Sequence, residues 1–444
     1  MIGTARRRSE LGLLVLSALL TVGAYVLASL PEDGTIPANI GPFLALVLGL
    51  QVGLHIAVRR LAPRADGMLL PLASLLAGLG YVFIVRIDEA KREPDGLAGL
   101  QSMWLIVGAG AFVATLMFIR DARTLERLRY TAGLAGLGLL LLPLVPGVGR
   151  TINGSRIWVS FGPVNFQPGE FAKIALAIFF AGYLVEKADL LRISKSIGPV
   201  PVPDPKHLGP ILLAWGVALV VMVAERDLGS SLLFFALFLV LIWVATERVS
   251  YLVLGLVLFA GGATVAHSAF SHVQQRVDIW LDPWPVADSE GFQVVQSAFA
   301  FADGGLTGTG LGLGSPLSIP EVETDFIFAA IGEELGLFGA TAILVAFLLI
   351  IGAGLRTASE ATHGFERLLA VGLTTLLGLQ AFIIMGGVVR LMPLTGVTLP
   401  FVSYGGSSLI ANFVLLALLL RVSDSTVRRE EEKQASIDQT QLVG

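Results

Sequence analysis

The sequence predicts an all-α, polytopic integral membrane protein of about twelve transmembrane helices, with one large extracytoplasmic loop. Three observations lead to this fold class. Of the 444 residues, 55% are hydrophobic and only 14% are charged, whereas soluble domains carry about 25% charged residues. Apolar runs long enough to cross a bilayer, which requires roughly 20 residues, recur along the chain. A long acidic stretch at 269–325 interrupts these runs.

The apolar runs divide the chain into candidate spans. The first run follows Arg6-Arg7-Arg8, as a signal peptide would, but its length and the later runs predict a membrane helix that is retained. Only Arg226-Asp227 separates two of the runs, so the turn there must be tight. The twelve predicted spans are 11–30, 40–58, 68–85, 102–119, 130–146, 170–186, 208–225, 228–246, 249–268, 334–355, 368–389 and 408–421.

The positions of the positive charges indicate how the spans are oriented. With the N-terminus in the cytoplasm, most of the 30 Lys and Arg residues fall in cytoplasmic segments, as the positive-inside rule requires. Both termini are then cytoplasmic, and the stretch 269–325 lies on the outer face of the membrane. The tail at 422–444 is polar and charged, and we expect it to be disordered.

The composition excludes several kinds of site and partner. The chain has no Cys, which rules out disulfides, thiolate metal sites and Cys nucleophiles. Its five His are too scattered along the sequence to predict a His-based metal site. The formal net charge of -4 gives no indication of a nucleic-acid partner.

Four polar segments map to the outer face: 153–173, 225–230, 269–336 and 393–408. Charges within spans or at their ends are costly in a membrane, so such residues usually pair or act. The loop 269–325 has a single cation, Arg276, among eight acids. These acids are Asp278, Asp282, Asp288, Glu290, Asp303, Glu321, Glu323 and Asp325.

Several of these residues have both a structural and a functional interpretation. Glu170 and Lys173 lie three residues apart on one helical face, as an internal ion pair would; alternatively, Lys173 holds a phosphate by its charge. Asp227 is either a helix N-cap or a functional acid. Glu333 and Glu334 open a helix, where the helix dipole favours acids.

The glycine run at 304–312 predicts a tight backbone path near a ligand or at the lipid boundary. It is not a Walker loop, because no Lys-Ser or Lys-Thr follows it.

An acidic outer loop with scattered cations suits chemistry on a lipid-linked sugar diphosphate. A carboxylate can take the proton from a sugar hydroxyl, and cations or a metal ion can stabilise the diphosphate leaving group. A transporter is the alternative, with its acids near the midplane of the membrane. The acids here cluster outside the spans, which favours surface chemistry.

Seven motifs carry a family resemblance between about residue 150 and residue 421. They are Asn-Gly-Ser-Arg-x-Trp at 153–158, Phe-Gln-Pro-x-Glu-Phe-x-Lys at 166–173, Asp-Leu-Gly at 227–229, Gly-Phe-Gln-x-x-Gln-Ser at 291–297, Pro-Glu-x-x-Thr-Asp-Phe-Ile-Phe-Ala at 320–329, Gly-Glu-Glu-Leu-Gly at 332–336 and Pro-Phe-x-Ser-Tyr-Gly-Gly-Ser-Ser at 400–408. In this order they resemble the SEDS family (shape, elongation, division and sporulation), the peptidoglycan polymerases that include RodA and FtsW.

The resemblance also implies a domain organisation. Ten spans are usual in the family, so twelve spans resemble the actinobacterial RodA type, with two additional N-terminal helices. The chain then divides into an N-terminal transmembrane extension at 1–85, a polymerase core at 86–421 and the cytoplasmic tail at 422–444.

The resemblance implies that the chain polymerises lipid II into glycan strands on the outer face of the cytoplasmic membrane, for cell elongation and shape or for division. Undecaprenyl diphosphate leaves, and a β-1,4 linkage forms with inversion. The implied partner is a class B penicillin-binding protein, a transpeptidase, and the implied cofactor is a divalent cation, Mg²⁺ or Mn²⁺. A lipid II flippase and a non-catalytic scaffold for the transpeptidase are the alternatives.

The family's essential loop Asp implies a catalytic base, but this sequence departs from the pattern there. Without gaps, the essential Asp aligns with Val286; a two-residue shift places it at Asp288. We therefore expect Asp288 to be the base that activates the sugar 4-hydroxyl, with Asp282 as the second choice and Asp325 as a helper or cap. Candidate diphosphate contacts are Arg156, Lys173, Arg226, Arg276 and Arg390, and other substrate-binding candidates are Glu170, Asp227, Gln293 and Ser403.

Overall fold

Long apolar helices form the body of the protein in the computed structural model. It describes residues 2–33, 40–91, 96–152, 154–161, 164–192, 195–197, 200–202 and 223–443, with isolated positions between 203 and 222. The helices are α1 (Ile2–Asp33), α2 (Ile40–Leu61), α3 (Leu69–Ala90), α4 (Leu97–Phe118), α5 (Arg123–Arg127), α6 (Arg129–Leu141), α7 (Pro168–Arg192), α8 (Leu228–Thr246), α9 (Val249–Ala269), α10 (Ser271–Leu281), α11 (Phe292–Gly304), α12 (Ile327–Glu360), α13 (Gly364–Val388) and α14 (Gly406–Val443).

The helices confirm a multi-pass membrane architecture. Within the described ranges, nine of them are long and apolar enough to cross a membrane: α1 to α4, α8, α9 and α12 to α14. Two more predicted spans are also helical, in the shorter α6 and in the 25-residue α7. The predicted span 208–225 lies largely outside the described residues, so the number twelve stays a prediction.

The helices differ strongly in how much of their surface other helices cover. In the most apolar part of α14, 83% of the residues are buried, whereas only 11% of the residues in the corresponding part of α9 are buried. The helix α14 packs on α4, α12 on α13, and α6 on α7. Gly108 of α4 allows close approach, because a Cβ there would meet the ring of Phe413 at 2.6 Å. The helix α14 therefore lies in the core of the bundle, and α9 lies at its periphery.

A small antiparallel sheet is the main addition to the predicted helical fold. Its order is β1-β2-β3, with Arg150 opposite Trp158 and Ser160 opposite Asn165. Gly154 has a positive φ of 80°, which suits the tight turn between the first two strands. The strands are β1 (Gly149–Ile152), β2 (Ser155–Phe161) and β3 (Val164–Phe166), and a separate pair is β4 (Lys195–Ile197) and β5 (Val200–Val202).

The stretch 269–325 is more regular than the sequence predicts. The amphipathic helices α10 and α11 and two short 3-10 turns, Trp284–Val286 and Pro316–Ser318, take up much of it. Val294 and Ala300 are buried in the same apolar core as the membrane helices. The expectation of an irregular loop is therefore corrected: apolar residues fold it onto the membrane helices.

The glycine run after α11 follows the tight backbone path that the sequence predicts. The backbone N–H of Thr309 donates to the carbonyl of Glu333 at 2.9 Å, and that of Gly310 donates to Glu334 at 3.1 Å. A Cβ on Gly308 would lie 2.1 Å from the Glu334 carbonyl oxygen. Gly336 has a φ of 64° and a ψ of -165°, which kinks α12 at this contact.

The tail that we expected to be disordered is helical, because α14 continues to Val443. Arg421 donates to the carbonyls of Leu61 at 2.7 Å and Leu116 at 2.6 Å. Farther along, Arg429 donates to Asp121 at 2.7 Å. These contacts tie the base of the tail to the ends of α2 and α4, which the sequence pattern did not reveal.

Candidate functional site

Two adjoining cavities lie between α10, the 3-10 turn after it and the segment that follows α13. We call the first, of about 350 Å³, the arginine cavity; it is lined by Gln275, Arg276, Ile279, Trp280, Glu290, Gln293, Val294, Asp325, Gly387, Arg390, Met392, Leu394 and Gly396. We call the second, of about 570 Å³, the acidic groove; it is lined by Ser271, Gln274, Gln275, Asp278, Ile279, Leu281, Asp282, Pro285, Val286 and Glu290.

The arginine cavity brings together four residues that the sequence predicts for the site: Arg276, Gln293, Asp325 and Arg390. They come from α10, α11, the residue pair before α12 and the segment just after α13, so the fold gathers them from distant parts of the chain. Gln293 donates to the Pro320 carbonyl at 3.3 Å. Two guanidinium groups beside a carboxylate form a site suited to an anionic ligand.

The two arginines also hold the cavity together. Arg276 Nη1 donates to the carbonyls of Leu394 at 3.2 Å and Thr395 at 3.0 Å. Arg390 Nη2 donates to the carbonyl of Trp280 at 3.0 Å, and Trp280 Nε1 donates to the carbonyl of Arg390 at 3.1 Å. We call these four hydrogen bonds the arginine clamp, because they join α10 to the segment after α13.

Asp325 has the most unusual acid–base environment in the arginine cavity. Its Oδ2 lies 3.6 Å from where a Cβ on Gly396 would stand, so the carboxyl packs closely against that glycine. Burial, followed by the charge of Glu321, raises the pKa of Asp325 to about 7, although Arg276 opposes the shift. A carboxylate with a pKa near the working pH is suited to act as a general base.

Asp227 and Arg226 lie close to this cavity in the tight turn before α8. Asp227 Oδ1 accepts from the N–H of Ser230 at 3.0 Å, which confirms the predicted helix cap. Its charge also raises the pKa of Asp325, so the cap and the site share an electrostatic environment. Arg226 is exposed and has a positive φ of 61°.

His272 was not predicted as a site residue. Burial, together with the charges of Arg226 and Arg276, lowers its pKa below the ordinary value. His272 and Arg276 are four residues apart on α10, so helical spacing was the signal that could have placed them together.

The two loop acids predicted as catalytic are both exposed. Asp282 lines the acidic groove, and its Oδ1 accepts from the N–H of Trp284 at 3.3 Å. Asp288 lines neither of the two cavities. Asp288 as the base therefore stays a prediction, and the geometry gives it no added support.

Four other predicted residues lie outside both cavities. Lys173 and Glu170 form a buried ion pair at 2.8 Å, as the structural interpretation of their spacing predicts. Arg156 donates to the Pro143 carbonyl at 3.0 Å, holding β2 to the preceding turn. Ser403 is buried and donates to the Thr324 carbonyl at 2.6 Å. The structure does not bring these four side chains to the arginine cavity.

Glu290 belongs to both cavities and was not assigned a role from the sequence. Hydrogen bonding by the Ser289 side chain and by the backbone lowers the pKa of its exposed carboxyl. Its position two residues from Asp288 was only a weak indication that it belongs to the site, because the turn that places it at the cavities could not be predicted from the sequence.

The described residues contain no group of three or more His, Cys, Asp or Glu side chains that could hold a metal ion. Their donor set therefore does not fit a metal bound by protein ligands alone.

Comparison with known proteins identifies the family. The family model FTSW_RODA_SPOVE, described as cell cycle protein, matches residues 67–428. The chain belongs to this family. It is 46% identical to the peptidoglycan glycosyltransferase RodA of Mycobacterium tuberculosis (strain H37Rv), over 95% of this chain and 92% of that protein. It is 35% identical to the probable peptidoglycan glycosyltransferase FtsW of Geobacter sp. (strain M18), over 81% of this chain and 96% of that protein.

Solved structures agree with this membership. One comes from work on the structural coordination of polymerization and crosslinking by a peptidoglycan synthase complex; it shares 29% identity and a TM-score of 0.66, over 82% of this chain and 98% of that one. The rod shape determining protein RodA of Thermus thermophilus shares 27% identity and a TM-score of 0.56, over 81% of this chain and 96% of that one. The predicted resemblance to the SEDS family is confirmed.

Proposed function

We propose that this chain is a peptidoglycan glycosyltransferase that polymerises lipid II on the outer face of the cytoplasmic membrane. The names of its relatives support the reaction class. The observation that carries the proposal is the arginine cavity, where Asp325, with a pKa of about 7, lies with Arg276 and Arg390. Sugar transfer from a lipid-linked diphosphate requires a base and positive charge near the leaving group. These three residues supply both.

The reaction uses these residues as follows. Asp325 takes the proton from the 4-hydroxyl of the acceptor sugar as that oxygen attacks the anomeric carbon of the donor. The bond from that carbon to the diphosphate oxygen breaks, and undecaprenyl diphosphate leaves with the electron pair. Arg276 and Arg390 stabilise the negative charge on the leaving group. A single displacement inverts the anomeric centre and gives the β-1,4 linkage.

The acidic groove is suited to the sugars next to the reacting bond. Amides of Gln274 and Gln275 and carboxylates of Asp282 and Glu290 line it together with the apolar Ile279. Sugars present both hydroxyl groups and apolar ring faces, so a mixed lining of this kind matches them. Because Gln275 and Glu290 also line the arginine cavity, a bound sugar would lie beside the reacting centre.

A divalent cation, Mg²⁺ or Mn²⁺, enters the proposal only through the substrate. Mg²⁺ is commonly held by one or two carboxylates together with substrate phosphates. Glu290 and Asp325 line the cavity that would receive the diphosphate, but no step of the mechanism above depends on a cation.

A class B penicillin-binding protein is the proposed partner. The similarity to a structure from a peptidoglycan synthase complex that coordinates polymerization and crosslinking supports a transpeptidase in that role. We also propose that both termini are cytoplasmic, which follows from the distribution of Lys and Arg.

The deciding experiment is polymerisation of lipid II by the purified chain together with this partner. We expect glycan strands from the native chain and a loss of about 100-fold or more for Asp325→Asn. Asp303→Asn, an equal charge change on an exposed residue outside both cavities, is the matched control and should keep the native rate. Movement of lipid II across vesicles without polymer would support a flippase. A chain that assembles with the partner but neither polymerises nor moves lipid II would support a scaffold.

A further inference from the structure

A chain of hydrogen bonds runs from a buried ion pair toward the arginine cavity. Lys173 Nζ on α7 donates to Glu170 at 2.8 Å and to Oε1 of Gln380 on α13 at 3.1 Å. Gln380 is itself buried, and its Nε2 donates to the Thr398 carbonyl at 3.0 Å and to Ser408 Oγ at 3.4 Å. Gln380 thus connects the ion pair to the segment between α13 and α14.

That segment, which we call the wall segment (393–404), forms one side of the arginine cavity. Leu394 and Gly396 line the cavity. Arg276 donates to the carbonyls of Leu394 and Thr395, and Asp325 packs against Gly396. A shift of the wall segment would therefore move both the proposed base and one of the proposed diphosphate contacts.

The far end of the wall segment is also tied to the residues that precede Asp325. Ser403 Oγ donates to the Thr324 carbonyl at 2.6 Å, and the N–H of Tyr404 donates to the Glu323 carbonyl at 2.8 Å. Gln380 holds the middle of the segment, at Thr398, from the membrane side. The segment is thus held at its middle by Gln380 and at its far end by the residues before Asp325, in addition to the bonds that Arg276 makes to Leu394 and Thr395.

The ion pair determines which way the amide of Gln380 faces. A Lys ammonium has three donors and no acceptor, so only the amide oxygen of Gln380 can face Lys173. The amide NH₂ must then face the Thr398 carbonyl, which is an acceptor. Glu170 accepts from Lys173 Nζ at 2.8 Å and so fixes the position of the ammonium group.

We propose that Gln380 is a positioning residue for the reaction, and that the buried Lys173–Glu170 pair acts by orienting its amide. In this arrangement Lys173 does not contact the diphosphate; its effect reaches the cavity through Gln380 and the wall segment. The catalytic part of this inference rests on the proposed function, whereas the positioning of the wall segment does not.

Two substitutions at this position separate its two hydrogen-bonding roles. Gln380→Glu keeps an acceptor for Lys173 and replaces the amide NH₂, which donates to Thr398, with a carboxyl oxygen. Gln380→Met removes both groups at similar volume. We expect both variants to lower kcat about 10- to 100-fold, with the KM for lipid II little changed, because displacement of the wall segment affects reacting geometry more than overall binding.

Thr374→Val is the matched control for these variants. Thr374 is as deeply buried on the same helix α13, and it takes no part in this chain of bonds. We expect native kcat from Thr374→Val. If Gln380→Glu also keeps native kcat, donation to Thr398 is not what matters, and the inference is overturned.

A second measurement reports the wall segment without relying on activity. The native chain has no Cys, so Thr395→Cys introduces one thiol, whose rate of reaction with a water-soluble maleimide can be followed. We expect several-fold faster labelling when Gln380→Met or Gln380→Glu is added, and no change when Thr374→Val is added.

The two measurements together decide the inference. Faster labelling with lowered kcat supports it, whereas unchanged labelling in the folded Gln380 variants, or faster labelling with native kcat, overturns it. If the native chain and its partner form no polymer, the proposed function fails, and the labelling rates still show whether Gln380 holds the wall segment.

Discussion

At the scale of single residues, Asp325 combines a catalytic environment with an energetic cost. Burial, Glu321 and Asp227 disfavour its ionised form, and Arg276 only partly compensates. The same surroundings that raise its pKa to about 7 make it able both to accept and to release a proton near neutral pH. Surroundings that shift the pKa of a side chain this strongly are concentrated at functional sites.

The pH dependence of the native enzyme follows from this pKa. Below about pH 7 Asp325 is mostly protonated and cannot accept the proton of the acceptor hydroxyl. We expect kcat/KM to rise with pH and to level off above about pH 7, as measured by lipid II polymerisation across buffers of constant ionic strength. A rate that stays flat from pH 5 to 9 would contradict Asp325 as the base.

The same pKa predicts how Asp325→Asn affects stability. Between the ordinary Asp pKa of 3.8 and the raised pKa of about 7, the folded state binds more protons than the unfolded state, so native stability falls as pH rises through this window. Asn has no charge to bury, so at pH 8 the variant should unfold at a higher temperature, by roughly 1–3 °C, in thermal unfolding in detergent. At pH 4 the two proteins should unfold at similar temperatures.

The assignment of the base can be tested directly against the sequence-based one. Loss of activity in Asp288→Asn, with native activity in Asp325→Asn, would show that the two-residue shift in the family pattern identified the base correctly. It would also show that the arginine cavity is not the reacting centre.

The Lys173–Glu170 pair gives a second prediction at the residue scale. Lys173→Met leaves the Glu170 carboxylate buried and unpaired, which typically costs about 3–5 kcal/mol. We expect a marked fall in unfolding temperature, with most of it recovered when Glu170→Leu is added, because the pair is then replaced by apolar groups. Lys187→Met, which removes a more exposed pair with Glu186, should change the unfolding temperature little.

At the scale of elements, the contact between the glycine run and the kinked α12 defines the end of the outer loop. Glu333 and Glu334 each accept a hydrogen bond from this run through their carboxylates, from Ser315 at 2.7 Å and Gly312 at 2.9 Å. Both acids therefore fix the loop to the membrane helix. The expectation that they open a helix is wrong, because α12 begins at Ile327 and has no acid in its first turn.

Two glycine substitutions separate backbone strain from packing in this contact. Gly305 and Gly308 both have positive φ, but a Cβ on Gly305 meets no atom within 4 Å, whereas one on Gly308 meets the Glu334 carbonyl at 2.1 Å. We expect Gly308→Ala to lower the unfolding temperature and the polymerisation rate much more than Gly305→Ala. Equal effects would mean that the φ angle alone matters.

The sequence predicts the membrane helices well, because an apolar run of the required length has few alternatives in a bilayer. It does not predict β1 to β3, since short strands near the membrane surface depend on pairing between residues such as Arg150 and Trp158. It also underestimates the order of 269–325, where the apolar side chains of α10 and α11 find partners only in the folded protein.

At the scale of the whole molecule, the site forms from parts of the chain that are far apart in sequence. Arg276 reaches Leu394, and Asp325 reaches Gly396. The sequence placed these residues on the outer face but could not reveal the burial and neighbouring charges of Asp325, because these arise from long-range packing. Gln380 was missed for the same reason, since only the fold brings it between Lys173 and Thr398.

The orientation of the molecule in the membrane can be tested with single cysteines. Ser289 lies in the outer loop, and Ser359 lies at the other end of α12, and both are exposed. In intact spheroplasts an impermeant maleimide should label Ser289→Cys, whereas Ser359→Cys should react only after permeabilisation. The reverse pattern would contradict the outer placement of the site and the cytoplasmic termini.

The arginine clamp has a consequence for how this protein tolerates sequence variation. Every acceptor in the clamp is a main-chain carbonyl, at Trp280, Arg390, Leu394 and Thr395. A main-chain carbonyl is present whichever side chain its residue carries, so the acceptor residues can be substituted without loss of these hydrogen bonds. Purifying selection for the clamp therefore falls mainly on three codons, those for the side-chain donors Arg276, Trp280 and Arg390.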